Sequence, residues 1–395
     1  MNEQLIVKNF GPIKDATVDF KKVTVFIGPT GGGKSTLAKL AAILRDVKIL
    51  GHKEANLEAL ESYNINNHIQ DEFTFEWRFG DLSFYIQNLE LKFNSNLTNK
   101  MKKYSEKFTK DIRKAISIDI NKIETIDTNS KNQIMKNFIS DIARKASESI
   151  LENLIIKSTP HYIPSERIFI PAIEYSWAGL MRDDIGLPKT LLNFANSFST
   201  SRKDVSELHI PFFNVTYQHI NGRDFIKIPE REDPLMLLET ASGIQSVTPL
   251  LVLLEHLSRK REQAQSFIVE EPELNLYPTA QQGLLNWLVE KCTSAENDLT
   301  ITTHSPYILA SCNLLMEAYK VWQDRPELEA EIEKIVPRAS WINPDKFAAY
   351  YVADGTVRSI QDERTDLIGG NELDAVSGNI SDAFRSLLRL KKQSV

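Results

Sequence analysis

The feature that most constrains this chain is a glycine-rich stretch at residues 23–36, VTVFIGPTGGGKST. Its apolar, β-branched first part predicts a buried strand, and its end opens a predicted helix with apolar positions at Leu37, Ala38, Leu40, Ala41 and Ala42. The turn between them carries the complete P-loop spacing GxxxxGKS at Gly28, Gly33, Lys34 and Ser35. A chance match is disfavoured because the motif lies between a strand and a helix, the context in which such loops bind phosphate.

The residue types of this loop suit a polyphosphate ligand. Glycines let phosphate oxygens approach main-chain N–H groups closely and let the backbone adopt positive φ. We expect Lys34 to bridge the β- and γ-phosphates, Ser35 to ligate Mg²⁺ and Thr36 to bind the α-phosphate. The predicted cofactors are therefore ATP and Mg²⁺, and the expected nucleotide contacts are Gly28, Pro29, Thr30, Gly31, Gly32, Gly33, Lys34, Ser35 and Thr36.

Composition narrows the class of protein. The 395 residues carry a net charge of -6, which argues against a generally basic nucleic-acid-binding surface but leaves a local basic patch open. Only Cys292 and Cys312 are present, without metal-site or disulfide spacing. We find no apolar run long enough to span a membrane and no signal-peptide core in the first residues. The sequence predicts a cytoplasmic protein that does not enter a membrane.

Several stretches alternate apolar and polar residues around turn signals and predict antiparallel hairpins. Two precede and follow the P-loop, with turns at Gly11-Pro12 and at Gly80-Asp81. Two more turn at Asn221-Gly222 and at Asp354-Gly355. A small β-lobe ahead of a P-loop resembles the nucleotide-binding heads of the ABC, SMC and RecF group of ATPases.

Three further motifs follow the P-loop in a fixed order. SGIQ, with Ser242, Gly243 and Gln245, stands before an apolar helix. The apolar strand of QSFIVEEPELNLYP then ends in Glu270 and Glu271. A second apolar strand, in LTITTHSPYIL, ends at His304. A Ser-Gly pair alone is also a common helix N-cap, so the order of the motifs carries the weight.

This order resembles the ABC-type ATPase head over about residues 3–50 and 205–310, and EEPELNLYP and TTHSPYIL resemble its OLD-type and RecF-like branch. Within that branch the chain is similar to the ATPase subunits of bacterial anti-phage systems such as Septu and PARIS. The resemblance implies an α/β fold with a mixed central sheet, flanking helices and an N-terminal antiparallel β-lobe. It also implies two-fold homodimers or higher assemblies, in which Ser242, Gly243 and Gln245 complete the nucleotide site of the other copy.

The same resemblance assigns the acidic and histidine residues. Glu270 is expected to hold Mg²⁺, Glu271 to orient or deprotonate the attacking water, and His304 to contact the γ-phosphate. Together with Lys34, Glu271 and His304 make up the predicted catalytic set. The family usually has Asp at the first carboxylate position. The longer side chain of Glu270 still supplies an oxygen ligand, but it is expected to shift the metal ion and slow turnover.

We divide the chain into an N-terminal ATPase lobe (1–95), a mainly helical insertion (96–204), a C-terminal ATPase lobe (205–320) and a helix and hairpin tail (321–395). Residues 97–157 contain thirteen Lys and Arg against eight Asp and Glu. They are interpreted as a solvated helical hairpin, or alternatively as an arm that binds nucleic acid or a partner. Glu166 and Arg167 are interpreted as part of a structural ion pair, with a position near the nucleotide as the alternative.

The predicted function is an ATPase that dimerises around ATP and regulates a separate effector, a nuclease or toxin encoded nearby, in anti-phage defence. A separate effector is expected because the tail lacks the Asp-x-Asp of a TOPRIM nuclease and an HNH-type cluster. The main alternative is a RecF-like repair ATPase that binds DNA directly. A transporter motor subunit and a scaffold that binds ATP without hydrolysing it are further alternatives.

Overall fold

The computed structural model describes residues 3–46, 51–103, 158–173, 186–260, 263–369 and 385. Most of the predicted basic helical stretch, from residue 104 to 157, and residues 370–395 of the predicted tail apart from 385 lie outside the described residues. The strands are β1 Glu3–Phe10, β2 Ile13–Phe20, β3 Val23–Ile27, β4 Thr74–Phe79, β5 Leu82–Gln87, β6 Glu90–Phe93, β7 Ser158–Ile163, β8 Glu207–Ile210, β9 Val215–Ile220, β10 Arg223–Lys227, β11 Leu235–Met236, β12 Ala264–Glu270, β13 Asp298–Thr303, β14 Phe347–Ala353 and β15 Thr356–Ser359.

Eleven of these strands form one sheet in the order β6-β5-β4-β1-β2-β15-β14-β3-β13-β12-β7. One side of it, from β6 to β2, is antiparallel. The other side, β14-β3-β13-β12-β7, is parallel throughout. The predicted mixed sheet with an N-terminal antiparallel lobe is thus confirmed. A parallel sheet brings the carboxyl ends of its strands to one edge, where ligands of α/β proteins bind.

The helices cover both faces of the parallel side. Their bounds are α1 Lys34–Arg45, α2 Lys53–Ser62, α3 Lys189–Asp204, α4 Ser242–Ser258, α5 Pro278–Cys292, α6 Pro306–Asp324 and α7 Glu329–Glu333. Successive residues of β3 point to opposite faces: Val25 packs into the core with α3 to α6, whereas Phe26 packs into the core with α1. Among the helices so described, none combines the length and apolarity needed to cross a membrane.

The hairpins predicted from turn residues form as expected, and Asn221, Gly222, Asp354 and Gly355 all have positive φ. The order of the strands in the sheet differs from their order in the chain. The β14–β15 hairpin, near the C-terminus, lies between β2 and β3 in the sheet, where β14 pairs with the P-loop strand. Similarly, β7 lies inside the segment predicted as a helical insertion but forms the edge strand beside β12.

Candidate functional site at the carboxyl edge of the sheet

The P-loop joins the buried strand β3 to helix α1, whose N-cap is Gly33 with φ of 106°. The end of β14 packs directly beneath the loop. A Cβ on Gly28 would lie 2.3 Å from the Val352 carbonyl oxygen, and one on Gly32 would lie 2.4 Å from it. Glycine is therefore required here by the hairpin under the loop as well as by the ligand expected above it. The sequence suggested only the second reason, because Val352 lies more than three hundred residues away.

Lys34 begins α1, and its side chain turns back over the loop. The ammonium group donates hydrogen bonds to the Gly28 carbonyl at 2.8 Å and the Pro29 carbonyl at 2.9 Å. Burial lowers the pKa of Lys34, and the carboxylates of Glu271, Glu273 and Glu270 oppose that shift. Pro29, Thr30 and Gly31 form the exposed tip of the loop, and Thr36 is buried. The Lys34 ammonium group thus lies against the main chain of the loop that it follows.

Glu270 is the last residue of β12 and is only 4% exposed. Burial raises its pKa, while Tyr162, Ser35 and Lys39 oppose the rise. Among the residues that the structure describes, its Oε1 atom has no hydrogen-bond partner, and a buried carboxylate oxygen without a partner is costly unless something binds it. Mg²⁺ in nucleotide sites takes one or two protein oxygens together with phosphates and water. Ser35 and Glu270 lie close together and fit that requirement.

Glu271 follows the strand in a left-handed conformation, with φ of 41°. Its N–H donates to the Thr302 carbonyl of β13 at 2.9 Å. Its carboxylate Oε1 lies 3.3 Å from Nε2 of His304, and both side chains are partly exposed. The acid predicted to activate water and the histidine predicted to sense phosphate are therefore neighbours, although they are 33 positions apart in the chain.

Glu273 links the same two segments and was not singled out from the sequence. Its Oε1 accepts from the Thr303 hydroxyl at 2.6 Å and from the His304 N–H at 2.9 Å. The side chain is buried, and burial raises its pKa although these hydrogen bonds oppose the rise. The third acidic residue of EEPEL thus fixes the position of the His304 backbone. The position of Glu273 in the EEPEL motif was the sequence signal that could have identified it.

Arg167 was interpreted as part of a structural ion pair, and the structure corrects that interpretation. Its guanidinium is fully buried and donates to the carbonyls of Pro164, Glu270 and Glu271, at 3.1, 2.7 and 2.7 Å. Glu166 is exposed and contributes the weakest of the carboxylate attractions that act on it. The alternative position, beside the expected nucleotide site, is the one observed.

The SGIQ segment begins α4, and the N-cap is Ala241 rather than Ser242. A Cβ on Gly243 would lie 2.8 Å from the Asn275 carbonyl, so the loop after the carboxylates packs on this glycine. The Gln245 amide donates to the carbonyls of Leu238 and Thr240 at 2.9 and 2.7 Å. The first turn of α4 is thus held by contacts with other parts of the same chain. By contrast, the residues that meet at the carboxyl edge of the sheet are Lys34, Ser35, Glu270, Glu271 and His304.

Comparison with known families gives one match that spans most of the chain. The family described as "AAA domain, putative AbiEii toxin, Type IV TA system" matches residues 23–310. Its limits include the P-loop, both carboxylates and His304. A comparison with curated proteins gave no significant match.

Among solved structures, two SMC head domains are similar to the chain. One, from Pyrococcus furiosus, carries an extended coiled coil and is bound to the C-terminal domain of ScpA; it is 13% identical, with 91% of this chain and 95% of that chain covered and a TM-score of 0.38. The other, from Thermotoga maritima, is 11% identical, with coverage of 92% and 99% and a TM-score of 0.40.

Proposed function

This chain belongs to the AAA-domain family that its residues 23–310 match, and we propose that it binds ATP with Mg²⁺. We further propose that it hydrolyses the bond between the β- and γ-phosphates. One observation carries the proposal. The fold gathers a P-loop lysine, a hydroxyl beside a buried carboxylate, and a carboxylate beside a histidine at the same edge of a parallel sheet. Each of these groups has a defined part in phosphoryl transfer.

Each of these residues has a separate part in the proposed hydrolysis. Lys34 would leave the carbonyls of its own loop and bind the phosphates, and Ser35 and Glu270 would hold Mg²⁺. The ion, when bound, neutralises charge on the phosphate oxygens. Glu271 is partly exposed and can accept a proton from water, and His304 lies within reach of that carboxylate. The products are ADP and phosphate, with the proton passing to Glu271 as water attacks.

The position of the SGIQ segment supports a dimer in which nucleotide lies between the two copies. Ser242 and Gly243 stand at the N-terminus of a helix seventeen residues long, which favours an anion. Exposed aromatic side chains follow three neighbouring strands that end at this edge of the sheet: Phe169, Tyr277 and Tyr307 are 57%, 77% and 52% exposed, in segments that leave β7, β12 and β13. Large exposed apolar groups beside a site are typical of interaction surfaces. We propose that the surface they form receives Ser242, Gly243 and Gln245 of a second copy.

Dimerisation is tested by light scattering of the purified protein with Mg²⁺ and either ATP or ADP. We expect ATP to double the mass of the Glu271→Gln variant and ADP to leave it unchanged. Tyr277→Ser should weaken the ATP-dependent dimer, because it removes an exposed ring at the surface. A monomer at saturating ATP in every variant would contradict the dimer and leave the hydrolysis proposal standing.

For the biological role, we propose that the ATPase regulates a separate nuclease or toxin in anti-phage defence. The description of the family names a toxin system, which favours a role in defence or toxicity over DNA repair. Copurification with the products of neighbouring genes tests the proposal. Salt-sensitive binding of DNA by the isolated protein would instead favour the RecF-like alternative.

A further inference from the structure

The turn that carries the two candidate acidic residues is held by one buried guanidinium. Arg167 lies on a short 3-10 segment that follows β7, the strand next to β12. Two of its N–H groups reach the carbonyls of Glu270 and Glu271, each at 2.7 Å. Another bond, at 3.1 Å, anchors the guanidinium to the Pro164 carbonyl of its own segment. Arg167 therefore connects the end of one strand to the main chain of the next.

The backbone that it holds is strained. Glu271 is a non-glycine residue at positive φ, a conformation that costs a side chain roughly 1–2 kcal/mol. Such residues persist only where their surroundings fix them. Here the N–H of Glu271 is bound by β13 and its carbonyl by Arg167, so both ends of the residue are fixed.

Arg167 also carries a positive charge close to these acids. Burial lowers its pKa to about 10, so the guanidinium stays protonated at neutral pH. The carboxylates of Glu273, Glu271 and Glu270 oppose that shift. Because its hydrogen bonds go to carbonyl oxygens, Arg167 does not occupy the side-chain oxygens of these acids.

We propose that Arg167 is a positioning residue for Glu271 in the ATP hydrolysis proposed above, on which this inference rests. It fixes the left-handed backbone that aims the Glu271 carboxylate, and it acts through the main chain of the turn.

The test compares Arg167→Met and Arg167→Lys with wild type, measuring ATP affinity and kcat separately. Arg167→Met should leave ATP affinity within about threefold and lower kcat about a hundredfold, as small misplacements of catalytic groups do. Arg167→Lys keeps the charge but not the planar set of donors, so kcat should fall about tenfold.

Arg45→Lys is the matched control. Arg45 is also a buried arginine, but it ends α1, about 16 Å along the helix from Lys34. The Arg45→Lys variant should leave kcat and ATP affinity unchanged. If the methionine variant does not fold, the lysine variant decides the question.

An active wild type together with unchanged kcat in both Arg167 variants would overturn the inference and leave the proposed function intact. An Arg167→Lys kcat within about twofold of wild type would by itself overturn the positioning role. A wild type that releases no phosphate would overturn the proposed function and the inference together.

Discussion

The strands of the parallel sheet end at two edges, the P-loop edge and the opposite edge, which we call the remote edge. Each holds a buried arginine among acidic residues, and the two arginines bind different groups. At the edge away from the P-loop, Arg45 donates to the Glu3 carboxylate at 2.6 Å and lies 3.2 Å from the Asp298 carboxylate. At the P-loop edge, Arg167 donates to main-chain carbonyls. The same residue type thus engages carboxylate oxygens at one edge and leaves them free at the other.

The two arginines differ in how fully their surroundings are paired. The Arg45 guanidinium also stacks over the rings of Phe20 and Trp77, so its charge, hydrogen bonds and packing are all used within the fold. By contrast, Oε1 of Glu270 and Oε2 of Glu273 have no hydrogen-bond partner within the described part of the chain. Unpaired buried carboxylate oxygens cost stability, and such costs are typical of sites that bind something.

The largest expected effect on stability is at the remote edge. Arg45→Met leaves the partly buried carboxylates of Glu3 and Asp298 without their cation, and this should cost about 3 kcal/mol, the lower end of the range for breaking a buried pair. We expect the midpoint of urea unfolding to fall accordingly, with kcat unchanged in the folded fraction. A variant of undiminished stability would show that this cluster does not stabilise the fold.

A lysine at each edge allows the two edges to be compared in ATP binding. Burial lowers the pKa of both Lys34, at the P-loop edge, and Lys22, at the remote edge. Lys34→Ala should weaken ATP binding about a hundredfold, since it removes charge-assisted hydrogen bonds to phosphate. Lys22→Ala, at the remote edge, should leave the affinity unchanged. Calorimetric titration with ATP and Mg²⁺ measures both, and equal losses in the two variants would contradict the assignment of the site.

The smallest expected effect is a pH dependence at the remote edge. Burial raises the pKa of Asp298 from 3.8 to about 6, although Arg45 opposes the rise. The folded state then holds the proton more tightly than the unfolded state, so this contribution is complete below about pH 4 and declines as the pH rises to about 6. Over that range it amounts to about 2 kcal/mol.

Asp298→Asn should therefore flatten the decline in stability between about pH 4 and pH 6. Urea unfolding of the variant and the wild type at several pH values provides the measurement. Parallel curves for the two proteins would show that Asp298 titrates alike in the folded and unfolded states.

Local structure around the site could be predicted from the sequence. The run from Val23 to Ile27 forms the expected strand, and Lys34 begins the expected helix. Turn residues such as Asn221-Gly222 specify hairpins because few residues accept positive φ. These features depend on neighbouring residues only, and the P-loop spacing fixes the lysine and hydroxyl within them.

Long-range placement could not be predicted in the same way. Nothing in the residues around Val352 indicates that its carbonyl packs under Gly28 and Gly32, because strand order depends on the whole sheet. The role of Arg167 was missed because sequence patterns suggest charged partners for an arginine, whereas its partners here are main-chain carbonyls. The positive φ of Glu271 had no signal in its residue type.

Comparison of Glu271→Gln with wild type tests the central claim most directly, using phosphate release and equilibrium ATP binding in the same preparation. Glu290→Gln, on the exposed side of α5, serves as the control. We predict that Glu271→Gln binds ATP like wild type while its kcat falls by about 10²–10⁴-fold, the range for loss of a general base. Wild-type turnover in Glu271→Gln, or the absence of turnover in every protein despite ATP binding, would contradict the account.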